Sequence, residues 1–437
     1  MRERVVILGG GESGTGAALL AKAKGFDVFV SDQGKLKDKY RDELKNASIE
    51  FEEGIHTADK ILNADIIIKS PGIPEKAELV KKAKSAGIKV IDELEFAFQY
   101  VKGKIIAITG TNGKTTTTLL TYHLLKSAGK NVALAGNVGF SLARQVINAT
   151  HDWYVIEISS YQLDGTVKFK PVVGILLNIT PDHLDRYEYK MENYIESKFR
   201  IVINMDKDGE FIYYKGDPIL SSEVSRRTIV PKKVAISSDG DTMDFGAFSV
   251  RQSETTLKGP HNIINTMSAV SAALFAGISE TDIRAALKTF KNAPHRLESV
   301  ATIKGVEFVN DSKATNVDSV IYALGSYNQP LVWIAGGIDK GNDYNLIKDQ
   351  VQQKVRTLIC LGTDNKKLKD FFGPVVKEIH ETQTVKELVR MALKSAKQGD
   401  VVLLSPACAS FDLFKNYEDR GDQFRAAVLE LKKEVNG

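Results

Sequence analysis

Residues 105–125, IIAITGTNGKTTTTLLTYHLL, leave the chain few folds to choose from. An apolar run at 105–108 reads as a buried strand, and Thr109-Gly110-Thr111-Asn112-Gly113 as a tight turn. Lys114, four threonines and an apolar pattern of helical period follow. Strand, glycine turn, Lys-Thr and helix together build a phosphate cradle. Glycine lets backbone N–H groups turn inward, and the helix start adds a positive dipole end. Lys114 is placed to reach terminal phosphates and a threonine hydroxyl to hold Mg²⁺. The spacing G-x-x-x-x-G-K-[ST] is not met, since Ile108 stands at the first glycine position. A strand feeding such a turn also commits the region to an α/β fold with a mainly parallel sheet.

The 437 residues allow about two to four domains. A net charge of +4 gives no case for nucleic-acid binding, and two cysteines exclude a disulfide framework or cysteine-rich zinc site. The start MRERVVILGGG has no leader-like apolar region, and no apolar run approaches a membrane span. The expectation is a cytoplasmic protein.

Three sections are expected: 1–92, 93–297 and 298–437. In the first, a strand at 5–8 runs into the glycine spacing Gly9, Gly11, Gly14, with a helix from Ala17 and a second strand ending near Asp32. This G-x-G-x-x-G opening suits the diphosphate of a nucleotide-linked substrate or of a redox dinucleotide. Ser70-Pro71-Gly72 follows a strand at 64–69, at the same sheet edge. Glu93–Tyr100 reads as a connecting helix. In the middle section, Asn137 follows the strand at 132–134, and Glu157 lies in the apolar strand WYVIE. A buried acid beside a phosphate loop is placed to bind metal. His183 sits just past a strand at 174–177, on the same sheet edge. Lys198, in YIESKFRIVIN, reads by itself as a solvated helix lysine. Asn262 and Asn265 are three apart and so share a face at a helix start, suited to an adenine edge or to capping. The last section repeats strand, polar turn and helix. Lys313 and Lys340 lie on such turns, and Ala407–Ser410 offers backbone N–H groups and a hydroxyl. Cys408 reads as a small buried thiol.

In order, T-G-T-N-G-K-T-T, E-I-S-S-Y-Q-L, N-I-T-P-D-H-L-D-R-Y, E-S-K-F-R, G-P-H-N, H-R-L-E, N-D-S-K-A-T-N and S-P-A-C-A-S-F-D form a joint signature. The chain resembles the Mur ligase family of bacterial cell-wall synthesis over essentially its whole length. The resemblance implies a Rossmann-like UDP-binding domain, a central ATPase domain and a dinucleotide-fold C-terminal domain that admits the amino acid. It implies a monomer with the partners ATP, UDP-N-acetylmuramoyl-L-alanine and D-glutamate. It further implies two Mg²⁺ sites, where Mn²⁺ is an alternative, and a CO₂-derived carbamate on Lys198.

By the same resemblance, Gly110, Thr111, Asn112, Gly113, Lys114, Thr115 and Thr116 take the ATP phosphates. Asn262, Asn265, Arg296 and Asp311 fall where the family contacts ATP. Thr115, Glu157, His183 and carbamylated Lys198 would hold metal. Ser13, Thr15, Asp32, Ser70, Gly72 and Asn137 match the UDP side. Lys313, Thr315, Lys340, Ser410, Phe411 and Tyr417 match the amino-acid side. The third domain is expected to close over ATP. Glu12, inside the diphosphate turn, and Tyr417, where Phe is common, depart from the pattern. No D-N-P-R motif of the diaminopimelate- or lysine-adding member is present, nor the extra-glycine turn of the L-alanine-adding one. Another ligase of the family, including the folylpolyglutamate type, is one alternative. An NAD-dependent oxidoreductase with a regulatory ATPase domain is the alternative from another class.

Overall fold

The structure, a computed structural model, describes residues 2–147, 150–238 and 240–436. It divides into two compact units, Met1–Glu254 with Ile264–Phe290, and Thr255–Ile263 with Lys291–Gly437. Among the described residues no helix is long and apolar enough to cross a membrane.

The first unit holds two parallel sheets. The N-terminal one comprises β1 (Arg4–Leu8), β2 (Asp27–Asp32), β3 (Glu50–Glu53), β4 (Ile66–Lys69) and β5 (Lys89–Asp92), in the order β3-β2-β1-β4-β5. This doubly wound order reverses between β1 and β4, so the turns after those strands part and leave a crevice. The helix after β1 starts at Glu12, five residues before the expected Ala17, so Gly14, Thr15 and Gly16 are helical. A Cβ on Gly14 would stand 1.7 Å from the Gly9 carbonyl oxygen, so this glycine lets the helix seat on the strand. Gly14→Ala is expected to cost ~3 kcal/mol of stability in thermal or denaturant unfolding. Gly11→Ala, at a position open to 4 Å with φ −74°, is expected to be near neutral.

The central sheet comprises β6 (Lys104–Thr109), β7 (Val132–Gly136), β8 (Trp153–Glu157), β9 (Val173–Leu176), β10 (Glu210–Tyr214) and β11 (Lys232–Ile236). Its order is β11-β10-β9-β6-β8-β7, and every pairing is parallel. Buried on both faces, β6 is continuously apolar, as such strands must be. A hairpin, β12 (Thr242–Asp244) and β13 (Ser249–Arg251), stands apart from it.

One apolar core runs through both sheets, from Val5 and Ile7 to Ile156 and Phe211. Three glutamates mark the join. Glu12 accepts from Ser141 N–H (3.1 Å) and Arg144 Nε (2.8 Å). Glu93 accepts from Ala143 N–H (2.6 Å), and Glu95 from the N–H groups of Val167, Lys168 and Phe169 (2.9, 2.8 and 3.1 Å). Burial pushes the Glu93 carboxyl up to about 7. The acid that looked out of place in the diphosphate turn is therefore a fastening to the neighbouring sheet.

The second unit holds β14 (Glu298–Ile303), β15 (Val306–Asn310), β16 (Leu331–Gly336), β17 (Val355–Leu361), β18 (Glu378–Thr382) and β19 (Val401–Ala407). Their order is β14-β15-β19-β16-β17-β18. The sheet is mixed, because β14 runs antiparallel to β15. The cause is local: Lys304 and Gly305 both have positive φ (49° and 75°), the two-residue turn that folds a hairpin. The remaining pairings are parallel, as expected of a dinucleotide-type fold.

Candidate active site

The phosphate loop follows β6, and Gly110 and Gly113 take φ of 150° and 84°. At Gly113 a Cβ would stand 2.4 Å from Asn265 Oδ1, so the turn closes only with glycine. The helix Lys114–Ser127 starts there with no acidic residue in its first turn. Thr115 and Thr116 are buried at its head. The loop is braced from beneath. Thr111 N–H donates to Asn178 O (3.0 Å), and Thr111 Oγ1 donates to Thr180 O (3.1 Å). Asn112 N–H donates to Asn178 Oδ1 (2.8 Å), and Asn178 Nδ2 donates back to Asn112 O (3.1 Å). Asn265 Oδ1 also accepts from Thr117 Oγ1 (3.2 Å). Asn178 was missed from sequence, because its partner is 66 residues away.

Lys198 overturns the surface reading. On the helix Met191–Phe199 it is 1% exposed, and its Nζ donates to Gly110 O at 2.8 Å. Lys114 Nζ donates to the same oxygen (2.9 Å) and to Thr111 O (2.8 Å). Burial, and then the charge of Lys114, hold the Lys198 amine well below the usual lysine range; Asp182 and Asp164 act in the opposite direction. A desolvated amine beside another cation sheds its proton readily. Tyr194, one helical turn earlier, places its ring 4.5 Å from that Nζ, and its hydroxyl lies 3.2 Å from Thr111 Oγ1. Helical spacing from Lys198 was the signal that would have found it.

Glu157 ends β8, in register with Ile108 of β6 at the mouth of the loop. It is 5% exposed, and its Oε2 has no hydrogen-bond partner. A bare buried carboxylate oxygen beside a phosphate loop suits a hard cation. His183 is left-handed (φ 52°), with its side chain half exposed. Its ring centroid lies 5.1 Å from that of Tyr161. Among the described residues no three His, Cys, Asp or Glu side chains converge on one point. Asn137, after β7, donates its N–H to Glu157 O (3.1 Å).

In the N-terminal crevice, Asp32 is already engaged by the glycine turn. Its carboxylate accepts from Gly10 N–H (2.6 Å) and Gly34 N–H (2.7 Å). Thr15 is fully buried and its hydroxyl donates to Gly10 O (3.0 Å), bracing the turn from within. Ser70 lies against Gly9, where a Cβ would come within 2.9 Å of it. Ser13 is half-buried and Gly72 exposed at the two lips.

In the second unit, the turns after β15, β16 and β19 gather round Arg420, which is 1% exposed. Its guanidinium donates to Ser312 Oγ and Ser312 O (both 2.9 Å), to Cys408 O (3.3 Å) and to Gly336 O (3.4 Å). Burial pushes it down to about 10, still cationic at neutral pH. These three turns carry Lys313 and Thr315, Lys340, and Ser410 and Phe411. Lys313 Nζ stands 5.2 Å over the Tyr417 ring, so two of the expected amino-acid residues meet. Ser410 is buried, whereas Phe411 is 66% exposed. Lys340 is exposed beside Asp339, whose carboxylate is held low at about 2: burial acts against this, and hydrogen bonds from Lys367, Tyr344 and the N–H groups of Asn342 and Gly341 prevail. Asp311 accepts from Ser405 Oγ (2.9 Å) and Leu297 N–H (3.2 Å), and burial pushes it up to about 7. Arg296 lies between two left-handed residues, His295 (φ 63°) and Leu297 (φ 44°). Asn262 donates its side-chain amide to Lys258 O (2.7 Å).

Three family descriptions match the chain: the MurD N-terminal domain at 4–79, the Mur ligase middle domain at 108–273, and the Mur ligase glutamate ligase domain at 295–408. The chain is 52% identical to the UDP-N-acetylmuramoylalanine--D-glutamate ligase of Cytophaga hutchinsonii, over 99% of its own length and all of that protein's. It is 51% identical to the ligase of the same name from Bacteroides thetaiotaomicron, over 98% of its length and all of the relative's. Among solved structures, the UDP-N-acetylmuramate-alanine ligase of Thermotoga maritima shares the fold with a TM-score of 0.62 at 19% identity, covering 98% of this chain and 100% of that one. Phosphate loop, sheet order and full-length likeness agree, and the chain belongs to the Mur ligase family.

Proposed function

We propose that this enzyme joins D-glutamate to the L-alanine carboxylate of UDP-N-acetylmuramoyl-L-alanine with ATP, the reaction for which its half-identical relatives are named. The observation that carries the reading is Lys198, a buried amine held against the same loop carbonyl as Lys114. A carboxylate does not react with an amine at neutral pH until it gains a leaving group. Its oxygen attacks the γ-phosphorus, the bond to the β-phosphate oxygen breaks and ADP departs. The D-glutamate nitrogen then adds to the acyl carbon, loses a proton, and the C–O bond to phosphate breaks.

The protein's share is positioning and charge neutralisation. The reading assigns the β/γ-phosphates to Lys114 and the loop N–H groups. Thr115, Glu157, His183 and a carbamate on Lys198 are assigned to Mg²⁺ or Mn²⁺, and the oxygen-rich donor set fits such a cation. Bound there, the cation would neutralise charge on the transferring phosphoryl group. A neutral Lys198 amine is the form that takes up CO₂. The diphosphate is assigned to the turn at 9–11 with Ser13, Ser70, Gly72 and Asn137 around it. D-glutamate is assigned to the turns around Arg420. The reading also takes the enzyme to work as a cytoplasmic monomer.

The test is phosphate release from UDP-N-acetylmuramoyl-L-alanine, ATP and Mg²⁺ with each of several amino acids. Release with D-glutamate alone is expected. Release with L-alanine, L-lysine or a folate substrate instead would overturn the specificity, and nicotinamide-dependent absorbance changes would overturn the class.

A further inference from the structure

Arg186 is a residue of N-I-T-P-D-H-L-D-R-Y to which neither the loop nor the metal reading gives work. It lies in the short 3₁₀ helix Leu184–Tyr187, directly after His183. That helix is bracketed by left-handed non-glycine residues, His183 (φ 52°) before it and Glu188 and Tyr189 (both φ 57°) after it. A non-glycine residue stays in this region only where the surrounding structure holds it there. Arg186 reaches out of this strained segment to the N-terminal sheet. Its Nη2 donates to Pro71 O (2.7 Å) and its Nη1 approaches Gly72 O (3.4 Å). The guanidinium carbon lies 3.9 Å from the centroid of the Tyr161 ring. Tyr161 in turn packs against His183 (5.1 Å) and Tyr187 (6.2 Å). His183, Tyr161, Arg186 and the turn after β4 thus form one continuous stack within the first unit.

We infer that Arg186 is a positioning residue: it sets His183 relative to the Pro71–Gly72 turn, so that seating the UDP-linked substrate on that turn also seats the histidine. The inference rests on the proposed ligase reading for its substrate. The geometry asks for arginine specifically. A planar fork meets two successive carbonyl oxygens with its edge while its face lies on an aromatic ring, which a lysine ammonium cannot do. Without it, the two carbonyls lose their donor and the strained turn loses its tie to the N-terminal sheet.

Arg186→Ala is expected to raise KM for UDP-N-acetylmuramoyl-L-alanine and lower kcat, each roughly tenfold or more, as misplacement by about 1 Å does. KM for ATP should stay within about twofold, because the phosphate loop is braced from Asn178, Thr180 and Asn265. Arg186→Lys should recover little, and millimolar guanidinium should restore part of kcat to Arg186→Ala. In ligand-free protein, amide exchange over 182–190 should be faster in Arg186→Ala than in the parent. Unchanged kinetics, or equal losses for all three substrates with no guanidinium rescue, would overturn the inference. If the parent enzyme turns over none of these substrates, the ligase reading fails on its own. The exchange measurement then still decides the role of Arg186: faster exchange supports it, unchanged exchange overturns it.

Discussion

Lys198→Ala is expected to lose activity by roughly 10²–10³-fold, the scale for removing one preorganised charge-stabilising group. Added acetate or another short carboxylate should restore part of it by filling the space of the carbamate proposed for Lys198. Full activity without supplement would return Lys198 to a purely structural role. The stability consequence has the opposite sign. In the folded, CO₂-free protein the amine is held below its ordinary range by burial and by Lys114, whereas the unfolded chain carries an ordinary lysine. Between its folded and unfolded values the unfolded state therefore binds more protons, so stability rises with pH through that window and this residue's cost to folding shrinks as pH approaches the ordinary lysine range. Lys198→Met, which keeps the buried stem and removes the amine, should raise the melting temperature at pH 7 by about one degree, which is what ~1 kcal/mol yields in a chain of 437 residues. The gain should fade by pH 10. A melting temperature that falls equally at both pH values would show that the bond to Gly110 O outweighs the desolvation of the amine.

Arg420→Met is the second large effect. It removes the donor that three carbonyl oxygens and one hydroxyl share in a dry interior. Breaking such a buried charged hub costs about 3–5 kcal/mol. The second unit should melt earlier, and KM for D-glutamate should rise by more than tenfold, since the hub fixes the turns bearing Lys313, Lys340 and Ser410 relative to one another. Arg420→Lys keeps the charge but not the fork, so it should recover stability in part and affinity less. KM for UDP-N-acetylmuramoyl-L-alanine is the control, because the residues assigned to it lie in the first unit. A D-glutamate KM that stays at the parent value in a folded Arg420→Met protein would detach the hub from the amino-acid site.

What could be read from the sequence was whatever a local backbone conformation demands. Gly110 and Gly113 are legible because nothing else adopts their φ or tolerates Asn265 so close. Runs such as 105–108 and 401–404 read as strands because a parallel sheet buries both faces. Glu157 was legible because an acid in such a run needs a reason to be there. The failures are tertiary. Lys198 sits among Glu196, Ser197 and Arg200, so its helix looks polar, and only the packing of that helix under the phosphate loop buries the amine. Arg420 stands in a charged helix start whose partners are up to 108 residues away. β14 was passed over because ESVATI has neither a continuous apolar run nor a regular alternation, and only Ala301 and Ile303 of this antiparallel edge are buried. The burial of Thr15 follows from the helix starting one turn early, which the run of glycines concealed.

The three glutamates joining the first unit's sheets have a consequence for how such an enzyme diverges. Of their six hydrogen bonds to the neighbouring segments, the five to residues 141, 143 and 167–169 fall on peptide N–H groups, which every amino acid except proline supplies. The joint is therefore lopsided in its tolerance. On one side almost any side chain is acceptable provided the chain's path is kept; on the other a carboxylate of one length is required. A hybrid that takes its first ninety-odd residues from a distant relative should assemble if it retains acids at positions 12, 93 and 95, however little the receiving loops resemble the donor's. Proline at 143 or 168 should defeat it where a dozen other replacements pass unnoticed.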